Sequence, residues 1–234
     1  MLKKILVIVV LLSLLMPISA IAVPNQEPID KIVFIHYKKA KEKTFPASTD
    51  QASYYKLIGI KWKKLPVTYY VNPANSKPDI TGVVGEVGLA FEEWDMRTRT
   101  ELFNLPIRDD SKVAGSLDNA NVVSWEPLND DRIIAVTYIW YYRFTKEIVE
   151  TDIIMNSQQP WGIDPDGEGL TPLVGAYDVR NIATHEAGHV CGLDDLYYYK
   201  ASELTMYGYS SLGEVKKDSL GKGDILGVQK LYGA

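Results

Sequence analysis

The sequence predicts an α+β domain with α/β-like features, and three observations predict it. Stretches rich in β-branched and aromatic residues lie at 67–71, 122–125, 133–142 and 148–155. Helical patterns lie at 80–98, 177–191 and 222–231. The second of these helical stretches carries two histidines four residues apart, in a chain with only three histidines.

The first residues stand apart from the domain. Lys3 and Lys4 precede a short apolar run from Ile5 to Met16, and Ala20-Ile21-Ala22 places small residues before Val23. That is the layout of a secretory signal peptide over residues 1–22, so the mature chain is expected outside the cytoplasm. The run is short for a membrane span, and an uncleaved N-terminal anchor is the alternative. No later stretch is long and apolar enough to cross a membrane. Residues 23–52 are polar, with Pro24, Pro28 and Pro46, and read as an N-terminal extension or short pro-segment. Within it, Ile32-Val33-Phe34-Ile35 reads as one short strand, and the lysine-rich residues 38–43 as a solvated face. The main domain is expected over 53–234, its fold beginning near Tyr54.

The strand at Val67–Val71 is bounded by Pro66 and Pro73. The first helix follows, with Val84, Val87, Ala90, Phe91 and Trp94 at helical spacing, although Gly85 and Gly88 weaken it. Val122–Trp125, Ile133–Tyr142 and Ile148–Met155 read as three further strands. Residues 161–171 form a loop. Asp164, Asp166 and Glu168 alternate there as oxygen donors would in a calcium turn, but the full twelve-residue pattern of an EF-hand is missing and a plain turn is the better reading. Tyr177–Cys191 is a helix with Asp178 placed to cap it. After an irregular stretch over 193–215, a last helix runs from Lys222 to about Leu231.

The helix at 177–191 ends in His185-Glu186-Ala187-Gly188-His189-Val190-Cys191-Gly192-Leu193-Asp194-Asp195. Residues four apart lie one above the other on a helix, so His185 and His189 can aim at one ion. Two imidazoles at this spacing suit tetrahedral Zn²⁺. Glu186, beside the first histidine, is placed to carry protons as the catalytic residue. Gly192 can adopt positive φ, end the helix and bring a third ligand back. No third histidine follows, so that ligand is expected to be Asp195, with Asp194 one residue early as the rival. His36 is the poorer rival, since a lone upstream histidine is usually a surface residue.

Composition narrows the function further. Without Lys3 and Lys4 the 25 basic residues become 23 against 30 acidic ones, a net charge of −7, which speaks against a nucleic-acid surface. The single cysteine, Cys191, cannot form an internal disulfide, and reads as a small buried residue of the helix.

These residues resemble a known family, the metzincins, and within them the matrixin-like zinc metallopeptidases. Besides the zinc helix, Lys61–Tyr69 resembles the first strand of a matrixin catalytic domain, and Phe91-Glu92-Glu93-Trp94 its first helix. Glu150–Asn156 is similar to the edge strand above the cleft. Leu204-Thr205-Met206-Tyr207 is similar to the Met-turn, and Leu220–Gly233 to the closing helix. The resemblance covers residues 58–233. It implies a twisted, mostly parallel sheet with an antiparallel edge strand over long helices, and Met206 below the metal. It also implies a secreted endopeptidase domain over 53–234 that hydrolyses peptide bonds with one catalytic Zn²⁺, with Ca²⁺ an open question. Peptide or protein substrates are expected, with no nucleic acid, no membrane insertion after signal cleavage, and a monomeric chain. Tyr207 or Tyr209 could support the oxyanion. The sequence departs from the usual pattern in Asp195, and it has neither the histidines for a second zinc nor a pro-segment cysteine for a cysteine switch. Two other readings stay open. One is a zinc peptidase whose third ligand is Glu203 or Glu214, and the other a silent binding module of the same fold.

Overall fold

The computed structural model describes residues 27–39, 53–76, 82–164 and 175–234. The expected signal peptide lies outside them, as do Asp166 and Glu168. Among the described residues no helix is long and apolar enough to cross a membrane.

The strands are β1 (Ile29–Lys38), β2 (Tyr69–Asn72), β3 (Ile107–Arg108), β4 (Asn121–Glu126), β5 (Ile133–Tyr142), β6 (Ile148–Asn156), β7 (Trp161–Gly162), β8 (Tyr177–Asp178) and β9 (Tyr209–Ser210). The helices are α1 (Val83–Asp95), α2 (Val179–Cys191) and α3 (Lys222–Tyr232). Seven strands form one sheet in the order β3-β2-β4-β6-β5-β1-β9, and β7 pairs with β8 apart from it. β3, β2, β4 and β6 run parallel to one another. β5 runs against both β6 and β1, and β9 runs parallel to β1.

The interior strands β4 and β6 are buried on both faces, which explains their near-continuous apolar runs. α1 and α2 pack together and share one core with the sheet, built on Trp94, Trp125, Ile139, Ile153, Ile182 and Leu193. The indole N–H of Trp94 donates to the Thr184 carbonyl of α2 at 2.8 Å. α3 closes the other side, where the Tyr232 hydroxyl donates to the Cys191 carbonyl at 2.9 Å.

Two expectations need correction. Glu150–Asn156, matched to the edge strand, belongs to β6, which lies inside the sheet between β4 and β5. The antiparallel strand is β5, and it is no edge either, because β1 pairs along its far side from Ile29↔Tyr142 to Tyr37↔Ile133. The short strand expected at Ile32–Ile35 is therefore ten residues long, and the sheet includes a strand well before Tyr54. The physical reason is long-range pairing. The flanks of β1 are polar, and its partners lie about a hundred or more residues away.

β6 carries two buried acids whose role is also to hold a distant loop. Asp152 accepts from the amides of Gly115 (2.6 Å), Ser116 (3.2 Å) and Val122 (3.0 Å). Glu150 accepts from the amides of Asp118 and Asn119. Burial pushes the Asp152 carboxyl up to about 7, with these amides opposing the rise.

That shift fixes a sign. An acid with a raised folded pKa contributes stability in full below its unfolded pKa and loses it as pH rises through about 7. The Tm of the wild type minus that of Asp152→Asn is therefore expected to shrink between pH 4 and pH 8. A gap that widens over that range in thermal melts contradicts it. A second expectation concerns Gly188 of α2, where a Cβ would lie 2.2 Å from Met206 Sδ and 2.7 Å from Trp94 Cζ2. Both side chains are buried, so Gly188→Ala should cost about 1–3 kcal/mol in denaturant unfolding.

Candidate metal centre

α2 begins where its sequence places a cap, with Asp178 accepting from the Asn181 amide at 2.7 Å. The helix is buried on nearly every side, and His185, Glu186 and His189 are at most 1% exposed. Gly192 ends it at φ 102°, where a side chain would be strained and a Cβ would strike the Ile60 carbonyl at 2.6 Å. The turn carries Asp195 back, so that its Oδ1 stands 3.3 Å from His185 Nε2 and 3.6 Å from His189 Nε2.

The tautomers follow from the partners of the other ring nitrogens. His185 Nδ1 meets the Thr205 carbonyl at 2.7 Å, and His189 Nδ1 meets the Leu193 carbonyl at 2.9 Å. A carbonyl only accepts, so both Nδ1 atoms carry the proton and both Nε2 atoms are bare lone pairs facing Asp195. His185 Nε2 and Asp195 Oδ1 are buried without a hydrogen-bond partner. Buried polar atoms without partners are costly, and a cation between them satisfies both at once. The donor atoms of His185, His189 and Asp195 lie within 4.8 Å of one another. Two ligands of one tetrahedral zinc ion stand roughly 3.3 Å apart, so the spacing fits that ion.

The protonation states suit it too. Burial pushes His185 down to about 4 and keeps it neutral. Burial pushes Asp195 up, but the Tyr197 hydroxyl that donates to it helps to hold it below the usual carboxylate range. Tyr197 donates to Asp195 Oδ2 at 2.9 Å and so turns Oδ1 toward the histidines. The rival Asp194 faces elsewhere, in an ion pair with Lys56 at 2.6 Å. Its Oδ1 accepts from the Asp195 amide, which steadies the turn.

Met206 is 1% exposed and packs where Gly188 leaves room for it. Asp224, at the start of α3, accepts from the amides of Thr205 (2.8 Å), Met206 (3.1 Å) and Gly221 (3.0 Å). One carboxylate thus pins the turn that offers the Thr205 carbonyl to His185.

Glu186 has two partners. Thr137 of β5 donates to its Oε2 at 2.6 Å, and His36 of β1 meets its Oε1 at 2.9 Å. Burial pushes Glu186 up to about 7, opposed by His189 and the Thr137 hydroxyl. His36 is only 2% exposed, so the expectation of a surface histidine is corrected. Its ring lies 4.1 Å from that of His185, and His36, His185 and Glu186 form a second group of converging donors.

The remaining candidates are not among the three converging ligands. Tyr207 and Tyr209 pack ring against ring at 5.7 Å. Glu203 pairs with Lys216 at 3.3 Å, and Glu214 stands 4.0 Å from Lys217. Among the described residues neither glutamate joins a group of converging donors. Of the calcium candidates, the described residue Asp164 gives its amide to Asp178 Oδ2 at 2.9 Å. Sequence reasoning missed Thr137, Tyr197, Lys217 and Asp224. Thr137 did leave a trace, as a hydroxyl in the middle of the apolar run of β5.

Comparison with known proteins supplies the frame for this geometry. The Matrixin family model matches residues 61–233. The chain is 31% identical over 80 residues to metalloendoproteinase 2-MMP of Arabidopsis thaliana, covering 34% of this chain and 20% of that protein. It is 35% identical over 80 residues to metalloendoproteinase 1-MMP of the same plant, at the same coverage. It is 36% identical over 64 residues to metalloendoproteinase 1 of Glycine max, covering 27% of this chain and 19% of that one. The matched part spans about a fifth of the length of these curated relatives. With the family model covering the sheet apart from β1, the helix with the two histidines, the Met206 turn and the closing helix together, the chain belongs to the matrixin family.

Proposed function

We propose that this chain is an exported zinc endopeptidase, with His185, His189 and Asp195 as the metal ligands and Glu186 as the catalytic residue. The observation that carries the reading is the pair of bare, buried atoms His185 Nε2 and Asp195 Oδ1, facing each other beside a buried glutamate. Bound there, zinc would acidify water and polarise a peptide carbonyl. The protein's own groups do the rest. Glu186 takes a proton from the attacking water at one carboxylate oxygen and delivers it to the departing amine. Thr137 holds the other oxygen, so the carboxylate cannot rotate away. Tyr197 keeps the outer lone pairs of Asp195 occupied. The phenols of Tyr207 and Tyr209, on the segment leaving the Met206 turn, are the candidates for hydrogen bonds to the developing oxyanion. Peptides or proteins are the substrates, and the signal-like residues 1–22 support export.

A silent member of the fold is the second reading, and the contact of His36 with Glu186 is the observation that favours it. The presence of Glu186, with Thr137 to orient it, favours turnover.

Two substitutions test the ligand and the base. Asp195→Ala should lose zinc, read by elemental analysis after dialysis, while Asp194→Ala keeps it. The opposite pattern moves the third ligand to Asp194. Glu186→Ala should retain zinc and lose at least about two orders of magnitude in peptide hydrolysis. Undiminished hydrolysis in that variant removes Glu186 from the mechanism.

A further inference from the structure

The two histidines are fixed by carbonyls at their Nδ1 atoms, and Asp195 needs a restraint of its own. A carboxylate has two equivalent oxygens and can take a cation with one or with both. At Asp195 the two oxygens are made unequal. Oδ1 faces the bare Nε2 atoms of His185 and His189 at 3.3 and 3.6 Å, while Oδ2 accepts from the Tyr197 hydroxyl at 2.9 Å. Asp195 is only 7% exposed, whereas Tyr197 is 53% exposed. The phenol thus lies half in solvent and sends its hydroxyl inward, a placement that burial of an apolar ring does not explain.

Backbone geometry puts both groups on one side. Leu196, between them, forms a bridge with Tyr207. Its amide donates to the Met206 carbonyl at 2.8 Å, and its carbonyl accepts from the Gly208 amide at 3.0 Å. Neighbours of a bridged residue point the opposite way from it, so Leu196 enters the core at 1% exposure while Asp195 and Tyr197 share the other side. Gly208 belongs to the segment that passes over this side. A Cβ there would lie 2.5 Å from Tyr197 Cε1, 2.9 Å from its Cζ and 3.0 Å from Asp195 Oδ1. Gly208 does not adopt the left-handed backbone, so the glycine supplies room, not conformational freedom. The Tyr209 ring packs edge-on against that of Tyr197, with centroids 5.3 Å apart.

We propose that Tyr197, seated in the room Gly208 leaves, clamps Asp195 as a one-oxygen ligand and so makes the centre selective for ions that accept four ligands. The proposal rests on the ligand set His185, His189 and Asp195 given above. With Oδ2 held, the protein offers two nitrogens and one oxygen, a donor set that suits tetrahedral zinc with one open position. Larger, harder ions such as Mn²⁺ take more oxygens, and a carboxylate free to close on them with both would supply one. A hydroxyl donating to a carboxylate makes a charge-assisted bond, stronger than one between neutral groups, so the restraint on Oδ2 is firm. Tyr197 then does for the acid what the Thr205 and Leu193 carbonyls do for the imidazoles.

The test uses the full chain, stripped of metal and titrated with Zn²⁺, Mn²⁺ or Co²⁺. Affinities are read by chelator competition. The visible bands of Co²⁺ report coordination number, being intense for a four-coordinate ion and weaker at higher coordination. Tyr197→Phe keeps the ring and removes the hydroxyl. It should weaken Zn²⁺ binding by roughly tenfold or more, narrow the preference for Zn²⁺ over Mn²⁺ by roughly tenfold, and weaken the Co²⁺ bands. A Co²⁺ spectrum unaltered by Tyr197→Phe overturns the clamp, whatever happens to affinity. Gly208→Ala should also weaken Zn²⁺ binding by roughly tenfold, yet cost about threefold or less once Tyr197→Ala has removed the ring in its way. Equal losses in the two backgrounds overturn the role of Gly208. Should Gly208→Ala fail to fold, Tyr197→Phe decides alone, since it leaves the ring contact with Tyr209 in place. Asp195→Ala separates this proposal from the reading beneath it. If that variant binds Zn²⁺ as the wild type does, the ligand set is wrong. If it loses Zn²⁺ while Tyr197→Phe leaves the Co²⁺ spectrum unaltered, the ligand set stands and the clamp alone fails.

Discussion

The candidate centre depends on two hydrogen bonds that never touch a metal. His185 gives its Nδ1 proton to the Thr205 carbonyl, and His189 gives its own to the Leu193 carbonyl. Without them each imidazole could swap tautomers and turn, and neither Nε2 would be a fixed donor. Each carbonyl must therefore be held as firmly as the helix. Leu193 is held because Gly192 reverses the chain at positive φ and the Leu193 amide returns to the Gly188 carbonyl at 3.0 Å. Thr205 is held because Asp224 gathers the amides of Thr205 and Met206.

Much of the protein can be read as the means of fixing those two carbonyls. Gly188 lacks a side chain where Met206 passes, so the turn carrying Thr205 can approach α2 closely. α3 is positioned by its own start, where Asp224 also accepts from Gly221, so the cap of one helix doubles as the clamp of another loop. This economy has a cost, since Asp224 is buried and burial pushes it up to about 6. Glu186, at about 7, and Asp152, at about 7, show the same pattern of acids kept inside because several donors converge on them. Burial of acids is thus used twice, to build the centre and to tie down the loop at 114–120.

What was legible in the sequence follows from how local each signal is. The α2 motif is legible in its helix, its Asp178 cap and its Gly192 stop, because these depend on residues a few positions apart. β5 is legible to its limits, since its apolar run is long and sharply bounded. Asp195 lies nearer the two imidazoles than its rival because the Gly192 turn has a definite length, and Asp194 found Lys56 instead. Thr137, Tyr197, Asp224 and Lys217 were not legible, since each acts through a partner that folding alone brings close. Tyr197 lies two residues from Asp195 and still gave no sign, because an exposed phenol and a ligand-steering phenol look alike in sequence.

β1 is the sharpest case of that limit. A ten-residue strand set in polar flanks carries little local evidence of its partners, and its two neighbours in the sheet are drawn from residues 133–142 and 209–210. Its side-chain alternation does have a meaning once the sheet is known. The outward residues are indifferent to water, while Phe34 stacks on His189 and His36 meets Glu186. A strand kept merely for stability would gain more by placing aliphatic side chains inward, where burying a CH₂ is worth about 0.8 kcal/mol without any polar partner to satisfy. His36 instead sits between an acceptor on one side and donors on the other, and it satisfies both at once.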